Sequence, residues 1–212
     1  MPNWCNNRLF ITGTEHALES FLSKGVNSNG MFTMSGYLPM PEELLSITTG
    51  GTDIDGVRVS EWREVKQPDG SKLPVALTKE ELADLQEKYG TWSWYDWAIA
   101  NWGTKWDFEA EPDAETADGE VELQFDTAWG PPTAFLESLA EMFPMLNFVL
   151  EYAEGGMGFG GRRIYTKGEL TEAVETSETQ DTCGLSEWHA MMVGGSDWNE
   201  NEEPDDAEGD EE

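Results

Sequence analysis

Lys and Arg number 12 and Asp and Glu 43 in this 212-residue chain, so a cation set among carboxylates in a regular element is the first place to look for chemistry. Arg8, Lys105 and Arg163 each fall in a strand-like stretch. A cation so placed lowers the pKa of a neighbouring carboxylate or holds an anionic group. Asp107, Glu122 and Asp126 are the carboxylates of the matching stretches, and acid–base catalysis would need two of them within hydrogen-bonding reach, one with its pKa raised. Asn6, Asn101 and Trp129 add two amides and an aromatic surface. The candidate binding set is therefore Asn6, Arg8, Asn101, Lys105, Asp107, Asp126, Trp129 and Arg163, on an open sheet face and a Trp-rich rim. The plainer reading of its charged members is a solvated, salt-bridged sheet face.

The other reactive residue types carry less. His16 falls near a helix start and His189 in a weakly patterned stretch, neither beside a nucleophile motif. Cys5 and Cys183 show no paired metal spacing and no secretory framework, and the acidic surroundings of Cys183 raise a thiol pKa rather than activate the thiol. Asp53-x-Asp55-Gly56 lacks the third ligand and the closing Glu of a calcium loop. Gly156, Gly158 and Gly161 match the G-x-G-x-x-G spacing, but a phosphate loop needs a helix N-terminus next, and Arg162 to Thr166 reads as a strand. No catalytic residue, metal or cofactor is expected.

Periodicity supplies the elements that must position the candidate set. Residues 3–12 alternate as a strand, with Cys5, Asn7, Leu9 and Ile11 on one side and Trp4, Asn6, Arg8 and Phe10 on the other. Thr14 caps a helix over 15–24 with the stripe Ala17, Leu18, Phe21 and Leu22, and Gly25 stops it. From Asn27 to Lys88 the pattern loosens. It contains an extended, Pro-containing segment at 37–44, turns at Gly50-Gly51 and Pro68-Asp69-Gly70, and a helix opened by the capping box Thr78-x-x-Glu81 and stopped by Gly90. With too few apolar residues for a core of its own, residues 27–90 read as an insertion packed on the domain.

Five of the ten Trp lie between Trp92 and Trp106. Trp94, Trp97, Ala98, Asn101 and Trp102 share one face of a short helix over 93–102, with Ser93 as cap and Gly103 as stop, so the stripe should be core and Asn101 must find a partner. A hairpin of strands at 105–111 and 120–128 follows, then a helix at 134–143 ended by Pro144. Strands at 147–153 and 162–166 flank the glycine-rich turn, and a helical stretch is expected around 169–175.

Net charge is −31, and residues 168–212 hold sixteen carboxylates and no Lys or Arg, leaving −15 for residues 1–167. An acidic body disfavours direct binding to nucleic acid or to anionic membrane and favours basic partners. The opening Met-Pro-Asn-Trp-Cys-Asn-Asn-Arg has no charged-then-apolar leader pattern, and no stretch approaches the ~20 apolar residues of a membrane helix. The expectation is a cytoplasmic protein with a domain over 1–167, a weakly structured acidic extension over 168–198 and a disordered tail over 199–212.

Without insertion and extra strand, the order is the β-α-β-β-α-β of a ferredoxin-like α+β sandwich, with an additional C-terminal strand. Met1-Pro-Asn-Trp-Cys-Asn-Asn, Leu38-Pro-Met-Pro-Glu-Glu-Leu44, Trp94-Tyr-Asp-Trp97 with Asn101-Trp-Gly-Thr-Lys-Trp106, and Thr127-Ala-Trp-Gly-Pro-Pro132 occur in order. Together they resemble the YubB ferredoxin-like domain family of phage and conjugative-plasmid proteins, the Api-type phage proteins of unknown function. The resemblance covers roughly residues 1–167 and implies the fold and a mobile-element origin, without a catalytic residue. The leading expectation is a non-enzymatic accessory protein that binds a host protein, such as a basic nucleic-acid-binding enzyme, as an anti-defence factor or nucleic-acid mimic. The alternative is a small-molecule or nucleotide binder that uses the open sheet face. An enzyme drawing on Asp107, Glu122 or Asp126 is a third reading.

Overall fold

The computed structural model describes residues 2–112 and 119–177. Strand β1 (Trp4–Thr12) keeps the alternation of its sequence: Cys5, Asn7, Leu9 and Ile11 are buried, while Asn6, Arg8 and Phe10 turn to the opposite side. Asn7 is tolerated in the core because its amide donates to the Cys5 carbonyl and the Thr127 hydroxyl, each at 2.8 Å. Helix α1 (Glu15–Gly25) is capped by Thr14, whose side chain accepts from the Ala17 N–H, and buries Leu18 and Phe21. Gly25 closes it for want of space, since a Cβ there would lie 1.7 Å from the Tyr37 ring. The Tyr37 hydroxyl donates to the Phe21 carbonyl at 2.5 Å, and this buried ring stacks on Phe21.

Residues 27–90 hold β2 (Phe32–Thr33), α2 (Glu42–Leu45), β3 (Ile47–Ile54), β4 (Val57–Lys66), β5 (Lys72–Ala76) and α3 (Lys79–Tyr89). The loosened pattern thus hides a three-stranded antiparallel meander, β3-β4-β5. Gly50-Gly51 is not a turn. It lies inside β3, where the register shifts between Thr49 and Thr52, and the hairpin turn is Asp55-Gly56, with φ of 50° and 80°. Asp-Gly with both residues at positive φ is a favoured two-residue hairpin connection. Pro68-Asp69-Gly70 does turn the chain between β4 and β5. The capping box at Thr78 and Glu81 is complete, and Gly90 ends α3 at φ 74°.

Helix α4 (Trp94–Asn101) buries Trp97 and Ala98, and Trp102 follows at its end. The hairpin expected after it is not formed as read. The strand over 105–111 shrinks to β6 (Glu109–Ala110), paired with β2 in a separate two-stranded sheet. The cause is Asp107, whose carboxylate accepts from the N–H groups of Met34, Ser35 and Phe108 and fastens that stretch to the insertion. The remaining elements are β7 (Glu120–Ala128), α5 (Thr133–Met142), β8 (Asn147–Glu154), β9 (Phe159–Thr166) and β10 (Glu169–Ser177).

The principal sheet has the order β10-β9-β8-β1-β7, antiparallel throughout. β7-α5-β8 is split around β1, which makes the α+β fold ferredoxin-like, and β9 and β10 extend its edge. Leu18 and Phe21 of α1 and Phe135, Leu136 and Leu139 of α5 join Leu9, Leu123, Phe148 and Leu150 in one core. The far edge departs from expectation after Lys167 and agrees with it at the glycine-rich segment. Residues 169–175 are strand rather than helix, so the stretch expected to be weakly structured begins as β10, whose alternating side chains pair with β9. The glycine-rich segment leads into β9 with no helix after it, and the Glu154 carboxylate takes up the N–H groups of Gly156 and Met157. Cys183, His189 and the tail over 199–212 lie outside the described residues.

Candidate functional site

Register decides which candidates share a face. On the side of the sheet away from α1 and α5, Glu172, Arg162, Glu151 and Arg8 stand on adjacent strands, paired as Glu172 next to Ile164, Arg162 opposite Glu151, and Glu151 opposite Arg8. Arg8 binds Glu122 in a fork, Nε to Oε1 at 2.5 Å and Nη2 to Oε2 at 2.9 Å. Arg162 donates to Glu172 at 2.6 Å. Asn6 donates to Asp126 at 2.7 Å. The hydrogen bonds from Arg8 hold the Glu122 carboxyl below its ordinary value. This face is a ladder of alternating charge in which Arg8 and Arg162 each hold a carboxylate, while the buried Nε of Arg162 has no hydrogen-bond partner among the described residues.

Arg163 does not belong to that face. It lies opposite Leu150, on the helix-covered side, with Nη2 3.0 Å from Glu175 and Nη1 3.7 Å from Glu137 of α5. There it lines a cavity of about 500 Å³ with Tyr152, Phe159 and Thr133. The correction is one residue of register: β9 begins at Phe159, within the glycine run, and puts Arg162 where Arg163 was expected.

The second group of candidates meets at one end of the sheet, where β1 begins and β7 ends. Three short stretches build it. Gly103, at φ 82°, turns the chain against the start of α5, and Thr104, fully buried, donates to the Ala128 carbonyl at 3.1 Å. Trp129 adopts φ 66°, which is strained for a bulky residue, while its N–H donates to the Asn3 carbonyl at 2.9 Å. Those anchors stand Lys105 among rings: its Nζ lies 4.4 Å from the Trp106 centroid, 5.3 Å from Trp129, and 5.9 Å from both Trp94 and Tyr95. Trp106 also contacts Trp4, the two centroids 6.2 Å apart. Lys105 forms no carboxylate ion pair among the described residues.

The rings are not buried. Trp4 is 48% exposed, Trp129 45%, Trp106 40% and Tyr95 37%. Beside them a cavity of about 320 Å³, mostly apolar, is lined by Met40, Leu45, Trp94, Trp102, Lys105, Trp106 and Asp107. Asn101 stays out of this group, its amide donating to the Trp97 carbonyl within α4 at 2.9 Å. The residues that the sequence pattern does not single out are Trp94, Tyr95 and Trp106 as partners of a cation, and Trp4 as a neighbour of Trp106; the available signal is the spacing of Trp94, Tyr95 and Trp106 around Lys105.

The three carboxylates named for acid–base chemistry are dispersed: Asp107 on backbone N–H groups, Glu122 on Arg8, Asp126 on Asn6. Cys5 is a free, buried thiol pushed up to about 12 by burial and by the charge of Glu154, which suits a packing residue rather than a nucleophile. Among the described residues no group of three His, Cys, Asp or Glu is placed to hold a metal ion, and no helix is long and apolar enough to cross a membrane.

Residues 101–204 match the family model described as the ferredoxin-like domain in Api92-like protein. Among solved structures, the chain is similar to the crystal structure of a protein Api92 from Yersinia pseudotuberculosis, at 12% identity and a TM-score of 0.48, over 85% of this chain and 100% of that one. No curated protein matches.

Proposed function

We propose that this chain is a non-enzymatic, cytoplasmic accessory protein of a phage or conjugative plasmid, of the YubB type, and that it binds a basic host protein through the aromatic rim. The observation that carries the proposal is the cluster of Trp4, Tyr95, Trp106 and Trp129, all substantially exposed and linked by ring contacts or by a shared cation. Trp and Tyr dominate binding hot spots because they bury large rigid surfaces at low entropic cost. Leaving several together in water has no folding rationale. The acidic body supplies the complement: a charge of −15 on residues 1–167 draws in a basic partner and speeds encounter.

The open sheet face supports a partner less well. Its carboxylates alternate with Arg8 and Arg162 and offer no unmatched row that could imitate a phosphate backbone. The same pairing occupies the cations that an anionic small molecule would need. Affinity capture from a bacterial host, with the wild-type chain beside a Trp106→Ala/Trp129→Ala variant, tests the proposal. A basic protein retained by the wild type, released by moderate salt and absent from the variant is the expected result. Equal retention by both chains, or none by either, overturns it.

A further inference from the structure

The rim contains its own ligand, and that ligand shows what the rim is shaped to hold. An ammonium group attracts the faces of aromatic rings electrostatically, and three or four rings around one cation form the aromatic cage that proteins use to bind lysine-type and quaternary ammonium groups. Trp94, Tyr95, Trp106 and Trp129 meet that description around Lys105 Nζ, all within 5.9 Å. No carboxylate among the described residues anchors this ammonium. Asp107, which lines the adjoining cavity, is committed to three backbone N–H groups. Lys105 is therefore held in the cage by its rings alone, on a flexible stem at the surface.

We propose that the cage is a binding site for an alkylammonium head group, a lysine side chain of the basic partner, and that Lys105 is its built-in competitor. Lys105 swings out toward water as the incoming cation enters. The net charge of −31 raises the local concentration of cations around the site. Trp129 contributes to preorganisation at its backbone, which the bond to Asn3 holds at φ 66° and which sets its ring beside Trp106. The inference rests on the rim being the contact surface, and it names the group that the surface takes.

Tetramethylammonium chloride, titrated against the full chain and followed by Trp emission, with sodium chloride at equal ionic strength as the blank, is the test. Lys105→Ala should bind the cation at least about tenfold more tightly than wild type, since the internal competitor is gone. Lys105→Gln, which keeps a stem in the cage without charge, should fall between them. Adding Trp129→Ala to Lys105→Ala should abolish the saturable response while far-ultraviolet circular dichroism stays unchanged. A Lys105→Ala chain of unchanged circular dichroism that responds no more to tetramethylammonium than to sodium, or no more tightly than wild type, overturns the inference. That failure leaves rim-dependent capture of a host protein standing, whereas loss of rim-dependent capture with tight ammonium binding by Lys105→Ala would remove the host-protein reading, and with it the partner's lysine as occupant, and leave only a cage for a free alkylammonium group.

Discussion

The open face of the sheet and the aromatic rim use opposite logic with similar residue types. On the open face, Arg8 and Arg162 are matched to Glu122 and Glu172, and Asn6 to Asp126. At the rim, Lys105 has rings in place of carboxylates, and the rings stand in water. Groups that are already satisfied within the fold gain little from a ligand, because binding must first break what they have. Capacity for a partner remains where apolar surface is exposed and a cation is weakly held. The polar face offered as a candidate in the sequence is internally paired in the fold, and the Trp segment read as core also exposes Tyr95 and Trp106.

Cutting into the face should cost stability, and by more than cutting into the rim. Arg8→Ala leaves Glu122, 7% exposed, without its cation and held only by the Gln124 amide at 2.9 Å. A loss of about 3 kcal/mol in urea denaturation is expected, and adding Glu122→Gln should recover most of it, since removing both charges also removes the orphaned one. Gly103→Ala strains a φ of 82° and brings a Cβ within 3.0 Å of the Thr133 nitrogen. It should cost about 2 kcal/mol and displace the Thr104 to Trp106 segment that carries the rim. Arg162→Ala breaks a pair whose acid, Glu172, is exposed, and should cost less than about 1 kcal/mol.

The pH dependence separates the two regions further. Arg8 holds the Glu122 carboxyl below its ordinary 4.5 in the folded chain. Its contribution to stability is therefore complete above pH 4.5 and is lost as pH falls through the lower, folded value. The gap in urea midpoint between wild type and Glu122→Gln should narrow below pH 4.5 and stay constant from pH 6 to 8. A gap that does not change on acidification would mean that the Arg8 fork is not formed in solution.

Much of the frame was legible because its signals are local. Alternation in β1 and β7, the Thr14 cap, the Thr78–Glu81 capping box and the Ser93 cap each act within a few residues and were read correctly. What failed depended on distant partners. The strand after Lys105 was lost to the bonds of Asp107 with Met34 and Ser35, more than seventy residues away in sequence. The meander went unread because Ile47 alone of its three strands joins the buried core, so there was no apolar alternation to follow. Asp55-Gly56 was the available hairpin signal. Of the candidate set, Asn6, Arg8 and Asp126 do share the open face and Lys105 and Trp129 the rim, whereas Arg163 crossed to the helix side and Asn101 turned back to its own helix.

The comparison comes down to one affinity series on the captured host protein: wild type, the rim variant Trp106→Ala/Trp129→Ala, and the face variant Arg8→Ala/Glu122→Gln, each checked for fold. Binding should weaken at least about 30-fold in the rim variant, the loss typical of hot-spot aromatics, and by less than about threefold in the face variant. The reverse order, with the face variant losing the partner and the rim variant keeping it, would contradict the assignment of the rim as the contact surface.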